Sequence, residues 1–291
     1  MDRRDIWIPS NGEQLAAYFY RPAVDGQLPC VVMAHGFSAT RDDGLLGYAE
    51  SFYRAGYAVV VFDYRYFGAS TGEPRQLLDI AAQQDDYRSV VAWARRAQGI
   101  DPDRIVLWGS SFSGGHVLAV AAGDRRIAAV IAQAPFTDSL AVVRRVPVRA
   151  LLRDGAVGIR DLVAARRGAQ PVYVAAVGPP GTRAVLTEPD AQPGFAAIVA
   201  PNTLWRNEVA ARIMVKVLGF RPFRYASRLP MPVLFCVCDA DTITPPEPSL
   251  RAARDAPKGE LRRYPYGHFD IYNDQQVKAD QVEFLRRVLG N

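Results

Sequence analysis

The sequence predicts an α/β protein: a mostly parallel central sheet with helices on both faces and an inserted cap. Three observations predict it. Short runs that are apolar from end to end recur along the chain (PCVVMA, AVVVF, RIVLW, RIAAVIA, PVLFCVC), and strands that read this way are buried on both faces. Segments with helical spacing separate them, as parallel strands require. The rhythm stops after Pro135 and resumes at PVLFCVC. The expected organisation is a core of residues 1–138 and 228–291 and a cap of residues 139–227.

The elements follow in order. DIWIP and LAAYFYRP flank Asn11-Gly12, a pair suited to a two-residue hairpin turn. PCVVMAHGF is the next strand, GLLGYAESFYRAG a helix, and YAVVVFDYR a buried strand. Between Leu77 and Gln98, apolar residues at helical spacing (Ile80, Tyr87, Val91, Trp93, Ala94) predict a helix. RIVLW is a strand that breaks at Gly109 and resumes as a helix from Ser113, and RIAAVIAQAP is a further strand. The cap segment reads as an arginine-rich helical stretch, a hairpin over PVYVAAVGPPGTRAVLTEP and a helix over NEVAARIMVKVLG. A strand at PVLFCVC, a helix near PPEPSLRAARDA, a strand at LRRYPY and a helix at ADQVEFLRRVLG complete the chain.

Composition narrows the function classes. At 291 residues and 49% hydrophobic, the chain can bury one large core, or a core plus a subdomain. It has no apolar run of 18 residues, so no membrane span is expected. The start, MDRRDIWIPSNGEQ, is charged and lacks the apolar region of a secretory leader. Cys30, Cys236 and Cys238 lie in or beside apolar strands and are expected as buried thiols of a cytoplasmic protein. The net charge of +5 rests on 32 arginines and 3 lysines. Residues 141–170 alone hold Arg144, Arg145, Arg149, Arg153, Arg160, Arg166 and Arg167 against Asp154 and Asp161. The basic character is local, which argues against a nucleic-acid-binding protein. G-x-G-x-x-G and P-loop patterns are absent.

The chemistry is carried by GSSFSGG, where a strand meets a helix. A serine nucleophile in such a turn needs small residues two places before and two after it. Ser110 has Trp108 two places before and fails. Ser113 passes but lies five residues past the strand. Ser111 has Gly109 and Ser113 at those positions and directly follows the strand. Its pattern is G-x-S-x-S, with serine where the usual motif has its last glycine.

Three histidines are available as its base. His116 sits in the following helix, and His35 ends a strand before Gly36-Phe37. His268, in YPYGHFDIY, occupies a loop after the last core strand, where a base can reach the carboxyl edge of the sheet. The acid should follow a strand and precede the histidine. Asp239 and Asp241 do so, and Asp138 is the alternative.

With these residues in view, the chain resembles the α/β-hydrolases over nearly its whole length outside the cap. MAHGFSATRD, FDYRYFGASTGE, GSSFSGG and CDADTITPP followed by YGHF carry the resemblance. It implies Asp241 as the acid and Ser111 and His268 as its partners. It also implies an oxyanion hole from the N–H groups of Phe37 and Phe112. Among subfamilies the chain is most similar to dienelactone-hydrolase-like and peptidase-like serine hydrolases, although no cysteine stands at the elbow. WRNEVAAR and FRPF, beside GSSFSGGHV, resemble a group that includes polyketide acyltransferases.

The implied activity is cleavage of a carboxylic ester or thioester through an acyl-enzyme on Ser111. An acyltransferase with the same intermediate is the alternative, ahead of a peptidase or a non-catalytic binding protein. No metal or other cofactor is expected. Trp205, Phe220, Phe223 and Tyr225 of the cap are candidate lining for a small acyl substrate. The arginine segment offers a surface to a coenzyme A thioester or an acyl carrier protein, to a membrane surface, or simply to solvent. Apolar strands near the sheet edge leave a homodimer open.

Overall fold

The computed structural model describes residues 3–290. β1 (Arg3–Ser10) and β2 (Glu13–Tyr20) pair antiparallel. Asn11 and Gly12 between them have φ of 45° and 88°, the left-handed pair that a tight hairpin turn demands. β3 (Leu28–Ala34), α1 (Leu46–Arg54), β4 (Ala58–Phe62), α2 (Ile80–Ala94), β5 (Ile100–Ser110), α3 (Phe112–Ala121) and β6 (Ile127–Gln133) follow. The chain then leaves the sheet through α4 (Ser139–Val143), α5 (Val148–Arg166), β7 (Tyr173–Val177), β8 (Ala184–Leu186), α6 (Ala191–Ile198), β9 (Val209–Ala210) and α7 (Ile213–Lys216). It returns as β10 (Val233–Cys238), α8 (Pro246–Asp255), β11 (Gly259–Tyr264) and α9 (Gln275–Leu289).

Eight strands form one sheet in the order β1-β2-β4-β3-β5-β6-β10-β11. β2 runs antiparallel to both of its neighbours, and every other pairing is parallel. The apolar runs occupy its centre, where helices cover both faces. Alternate residues therefore feed two separate cores. Val32, Val60, Leu107, Val130 and Phe235 enter one, and Val31, Val59, Trp108, Ile131 and Leu234 the other. The edge strands differ: β1 is RRDIWIPS and β11 is GELRRY. Charges on an edge discourage pairing with another sheet, and the apolar strands themselves are central.

The segment between β6 and β10 contributes to both cores, with Val174, Val209 and Ile213 in one and Val177, Phe195 and Ile198 in the other. Two local expectations change here. The chain around Gly178–Gly181 does not make a hairpin, because β7 and β8 run parallel with Ala175 opposite Ala184 and Val177 opposite Leu186. Pro179 and Pro180 have no N–H to give an antiparallel ladder, and Thr182 folds the loop back by donating to Pro179 O. The helix expected over NEVAARIMVKVLG starts only at Ile213, because Val209 and Ala210 pair with β7 as β9.

One buried ion pair ties these elements together. Asp161 on α5 accepts from the Arg212 guanidinium at 2.7 and 3.0 Å, and from the N–H groups of Arg212 and Val172. No helix among the described residues is long and apolar enough to cross a membrane.

Removing one partner of a buried pair strands the other, typically at a cost of about 3–5 kcal/mol. Asp161→Ala is therefore expected to lower the urea midpoint or open α5 to protease while the sheet stays folded. Unchanged unfolding together with unchanged proteolysis would refute this role.

Candidate active site

β5 ends at Ser110, and α3 starts at Phe112, so a single residue makes the turn. That residue is Ser111, at φ 56° and ψ −121°. Such a conformation is costly for a residue with a side chain and persists only where its surroundings enforce it. Here Ser111 N–H donates to Gln133 O at 2.9 Å, and Ser111 O accepts from Phe136 N–H at 2.8 Å. Gly109 leaves the space. A Cβ there would sit 2.4 Å from the carbonyl oxygen of Ser113.

The neighbouring serines have other partners. Ser110 Oγ donates to Tyr272 Oη at 2.8 Å and accepts from Gln133 Nε2 at 3.2 Å, in a buried network that reaches Gln281 and Trp108. Ser113 Oγ lies 2.6 Å from Tyr87 Oη and 3.0 Å from Tyr64 Oη. This explains a serine where glycine is usual: its hydroxyl satisfies two buried phenols.

Ser111 Oγ is 2.9 Å from His268 Nε2, and His268 Nδ1 is 2.7 Å from Asp241 Oδ2. Because a carboxylate only accepts, Nδ1 carries the proton and Nε2 is free to accept from Ser111. Asp241 is itself fixed. Oδ1 takes the N–H groups of Ile243 and Thr244 at 2.9 and 2.7 Å, and Oδ2 takes the Thr244 hydroxyl at 2.7 Å. Thr244 was not anticipated from sequence, although its place three residues after Asp241 is the ordinary spacing for such a turn. The other acids are engaged elsewhere. Asp239 pairs with Arg263 at 2.9 Å, and Asp138 caps α4 and pairs with Arg221 at 2.7 Å.

The N–H groups of Phe37 and Phe112 have no hydrogen-bond partner among the described residues. Phe112 is the first residue of α3, where unpaired donors and the positive end of the helix coincide. The loop bearing Phe37 passes close to Ser111, since a Cβ on Gly36 would lie 3.1 Å from Ser111 Cβ. The arrangement brings a serine hydroxyl, an oriented imidazole and two N–H groups without partners close together.

Ser111 opens onto a cavity of about 610 Å³, within the usual range for small-molecule sites. Its walls come mainly from aliphatic residues such as Val142, Val146, Leu151, Val185, Met214 and Leu218. Arg153 and Asp154 on the wall pair with each other at 2.7 Å. Glu188 has no ion-pair partner among the described residues, and burial pushes its carboxyl above the usual range. On the other side, Gly36, Phe37, Ser111 and His268 border a space of about 10 Å³, the size of a single water.

None of the four cap aromatics lines the large cavity. Phe220 packs behind the elbow, 5.1 Å from Phe112 and from His116. Phe223 lies beneath the guanidinium groups of Arg221 and Arg251, Tyr225 beneath that of Arg228, and Trp205 against Phe195. These four rings went to packing, and the aromatic part of the wall comes from Phe37, Phe112 and Phe136. Its aliphatic part was built from the valines and leucines interleaved with the arginines, a signal that charge obscured.

His35 and His116 are both fully buried. Desolvation holds His35 down to about 4 and His116 down to about 3. His35 Nδ1 donates to Gly36 O at 3.0 Å, and His116 Nε2 meets Gln83 Oε1 at 2.9 Å. Neither lines the cavity: His116 packs against Phe112 at the elbow, and His35 against Tyr64 and Phe67.

Comparison with known proteins adds to this geometry. Residues 11–190 match the X-Pro dipeptidyl-peptidase (S15) family. The chain is 43% identical over 288 residues to the quorum-quenching protein AidA of Acinetobacter baumannii (strain MDR-ZJ06), covering 98% of this chain and 95% of that one. It is 29% identical over 301 residues to polyketide transferase ATR5 of Stachybotrys chlorohalonatus (strain IBT 40285), covering 99% and 98%. The crystal structure of α/β hydrolase GrgF from Penicillium sp. sh18 superposes over the whole of both chains, with a TM-score of 0.84 and 24% identity.

A histidine that stays neutral when folded but protonates near 6.5 when unfolded supports the fold fully above that pH, and less as pH falls towards its folded value. Wild type is therefore expected to lose about 2 kcal/mol more stability than His116→Gln between pH 7.5 and pH 5. Urea unfolding at the two pH values measures the difference. Equal losses would show that His116 is not held neutral.

Proposed function

Because the chain belongs to the X-Pro dipeptidyl-peptidase (S15) family and is an enzyme of the α/β-hydrolase fold, we propose that it cleaves carboxylic esters or thioesters through an acyl-enzyme on Ser111. The observation that carries this reading is the unbroken chain of contacts from Ser111 Oγ through His268 to Asp241, set at the mouth of an apolar cavity.

Each group has one task. His268 Nε2 takes the proton of Ser111 as Oγ attacks the carbonyl carbon, and Asp241 stabilises the imidazolium that forms. The carbonyl oxygen gains charge and is held by Phe37 N–H and Phe112 N–H. Donors of this kind are each worth about 10²–10³ in rate. His268 then passes the proton to the departing alcohol or thiol. In the second half a water gives its proton to His268 and attacks the acyl carbon. Ser111 leaves with that proton, and the carboxylic acid is released. The space of about 10 Å³ beside His268 suits a water.

The cavity's aliphatic walls favour acyl chains. A relative named for quorum quenching supports including acylated lactones, whose ring is itself an ester, among the substrates to test. A relative named as a polyketide transferase supports the second reading, in which an alcohol or amine replaces water. The cap residues 139–227 supply the acyl wall in either case, and a carrier protein or coenzyme A thioester is the donor to try first for the second.

A fluorophosphonate is expected to label Ser111, and Ser111→Ala and His268→Ala to abolish both labelling and turnover. Asp241→Asn is expected to lower kcat by about 10⁴ with the fold unchanged. The substrate panel comprises p-nitrophenyl esters, acyl-coenzyme A thioesters, acyl lactones and X-Pro anilides, each with and without an added alcohol acceptor. Label on another residue, or turnover that survives Ser111→Ala, would sink the proposal. Turnover of X-Pro anilides alone would replace it with a peptidase, and an acyl-acceptor product would favour the second reading.

A further inference from the structure

Helix α5 has three faces, and only one of them is accounted for. Gly158 and Asp161 are buried, Asp161 in its pair with Arg212, while Ala150 and Leu151 form cavity wall. On the outer side, Val148, Leu152, Ala156, Ile159 and Val163 follow one another at intervals of four, four, three and four, which places them along one stripe. Leu152 is 71% exposed, Val148 69% and Ile159 57%. At about 1.5 Å per residue the stripe is about 22 Å long. Beside it, Arg149, Arg160 and Arg167 share the adjoining side of the helix, and Arg166 stands at its end, all exposed. The two acids of α5 are engaged, Asp154 with Arg153 and Asp161 with Arg212.

An exposed aliphatic stripe with a cationic border calls for a covering that is apolar and negatively charged. A second copy of the chain does not supply it, because a two-fold contact here would face arginine rows with no acid on α5 to meet them. The stripe also lacks the tyrosine and tryptophan anchors that concentrate affinity at protein interfaces. Aliphatic side chains that enter hydrocarbon, with guanidinium groups at the level of phosphates, are instead the pattern of a helix lying in a membrane surface.

We propose that α5 seats this protein on an anionic lipid bilayer. The cavity lies against the same helix, since Pro147, Ala150, Leu151 and Gly155 line it. Leu218, 42% exposed, lines it as well. A seated enzyme therefore holds its acyl cavity beside the bilayer and can take substrates dissolved in it. That last step rests on the acyl-hydrolase reading, whereas the binding does not. Pro147 does not break this helix, because it stands at the N-cap, one residue before the first turn.

The test is sedimentation of the full-length protein with vesicles of phosphatidylcholine, alone or with one-third phosphatidylglycerol, at 50 mM and 500 mM NaCl. Binding is expected on the anionic vesicles only, and weakened at high salt. It should fall by about tenfold or more in Leu152→Asp/Ile159→Asp and in Arg149→Glu/Arg160→Glu. These residues lie off the cavity, so both variants should hydrolyse a soluble short-chain ester as wild type does. That activity also reports that they are folded. Ser111→Ala should bind as wild type, which separates seating from catalysis. Wild type that fails to bind anionic vesicles, or variants that bind equally well, would overturn the proposal. So would a dimer of the wild type that Leu152→Asp/Ile159→Asp converts to monomer, which would assign the stripe to a second copy.

Discussion

The backbone of one residue governs the rest of this structure. Ser111 sits at φ 56°, a conformation that costs about 1–3 kcal/mol for a residue with a side chain. Holding it requires a strand on one side, a helix on the other, and closed packing beneath. β5 and β6 supply the first through the bond from Ser111 N–H to Gln133 O, and α3 starts one residue later. The two serines that flank the turn are tied into buried hydrogen-bonded networks, one to Tyr272 and Gln133, the other to Tyr64 and Tyr87. The strained hydroxyl stands proud because its neighbours are pinned down.

Much of this was legible in the residues. Strands buried on both faces must be apolar throughout, so β3 to β6 and β10 announced themselves, and their parallel pairing followed. The requirement for small residues around a tight turn separated Ser111 from Ser110. Asp241 was singled out as the candidate acid from the strand that precedes it together with the resemblance, and the fold sets it 2.7 Å from His268, but what holds it was not legible. Thr244 and two backbone N–H groups fix the carboxylate, and backbone donors leave no trace in residue identity. The cavity was misread for a related reason. Trp205, Phe220, Phe223 and Tyr225 are conspicuous in a sequence, yet rings of that size are most readily satisfied by packing on one another or under arginines. Val142, Leu151 and Met214, which do form the wall, resemble any other aliphatic residues until the chain is folded.

The arginine-rich segment shows how one local charge can serve unlike ends. Arg153 is spent on its neighbour Asp154 and Arg145 lies 3.7 Å from Glu247. Arg149, Arg160, Arg166 and Arg167 are turned outward along the rim of an aliphatic stripe. Counting charges over residues 141–170 predicts a basic patch; only the helical phase separates the part that belongs to the fold from the part that faces outward.

The insertion between β6 and β10 has a further consequence. The two strands are parallel neighbours, with Val130 opposite Val233, so everything between them is topologically a crossover that has grown long. The entropy of closing a connection rises only logarithmically with its length, and doubling one costs about 0.6 kcal/mol. Closing this connection therefore adds little cost as it lengthens; what ties the sheet and its elbow to it is packing, since it sends Val174, Val177 and Phe220 into the cores. Changes of length in the exposed stretches of this connection thus cost little, whereas changes at Val174, Val177 or Phe220 reach the sheet and the elbow.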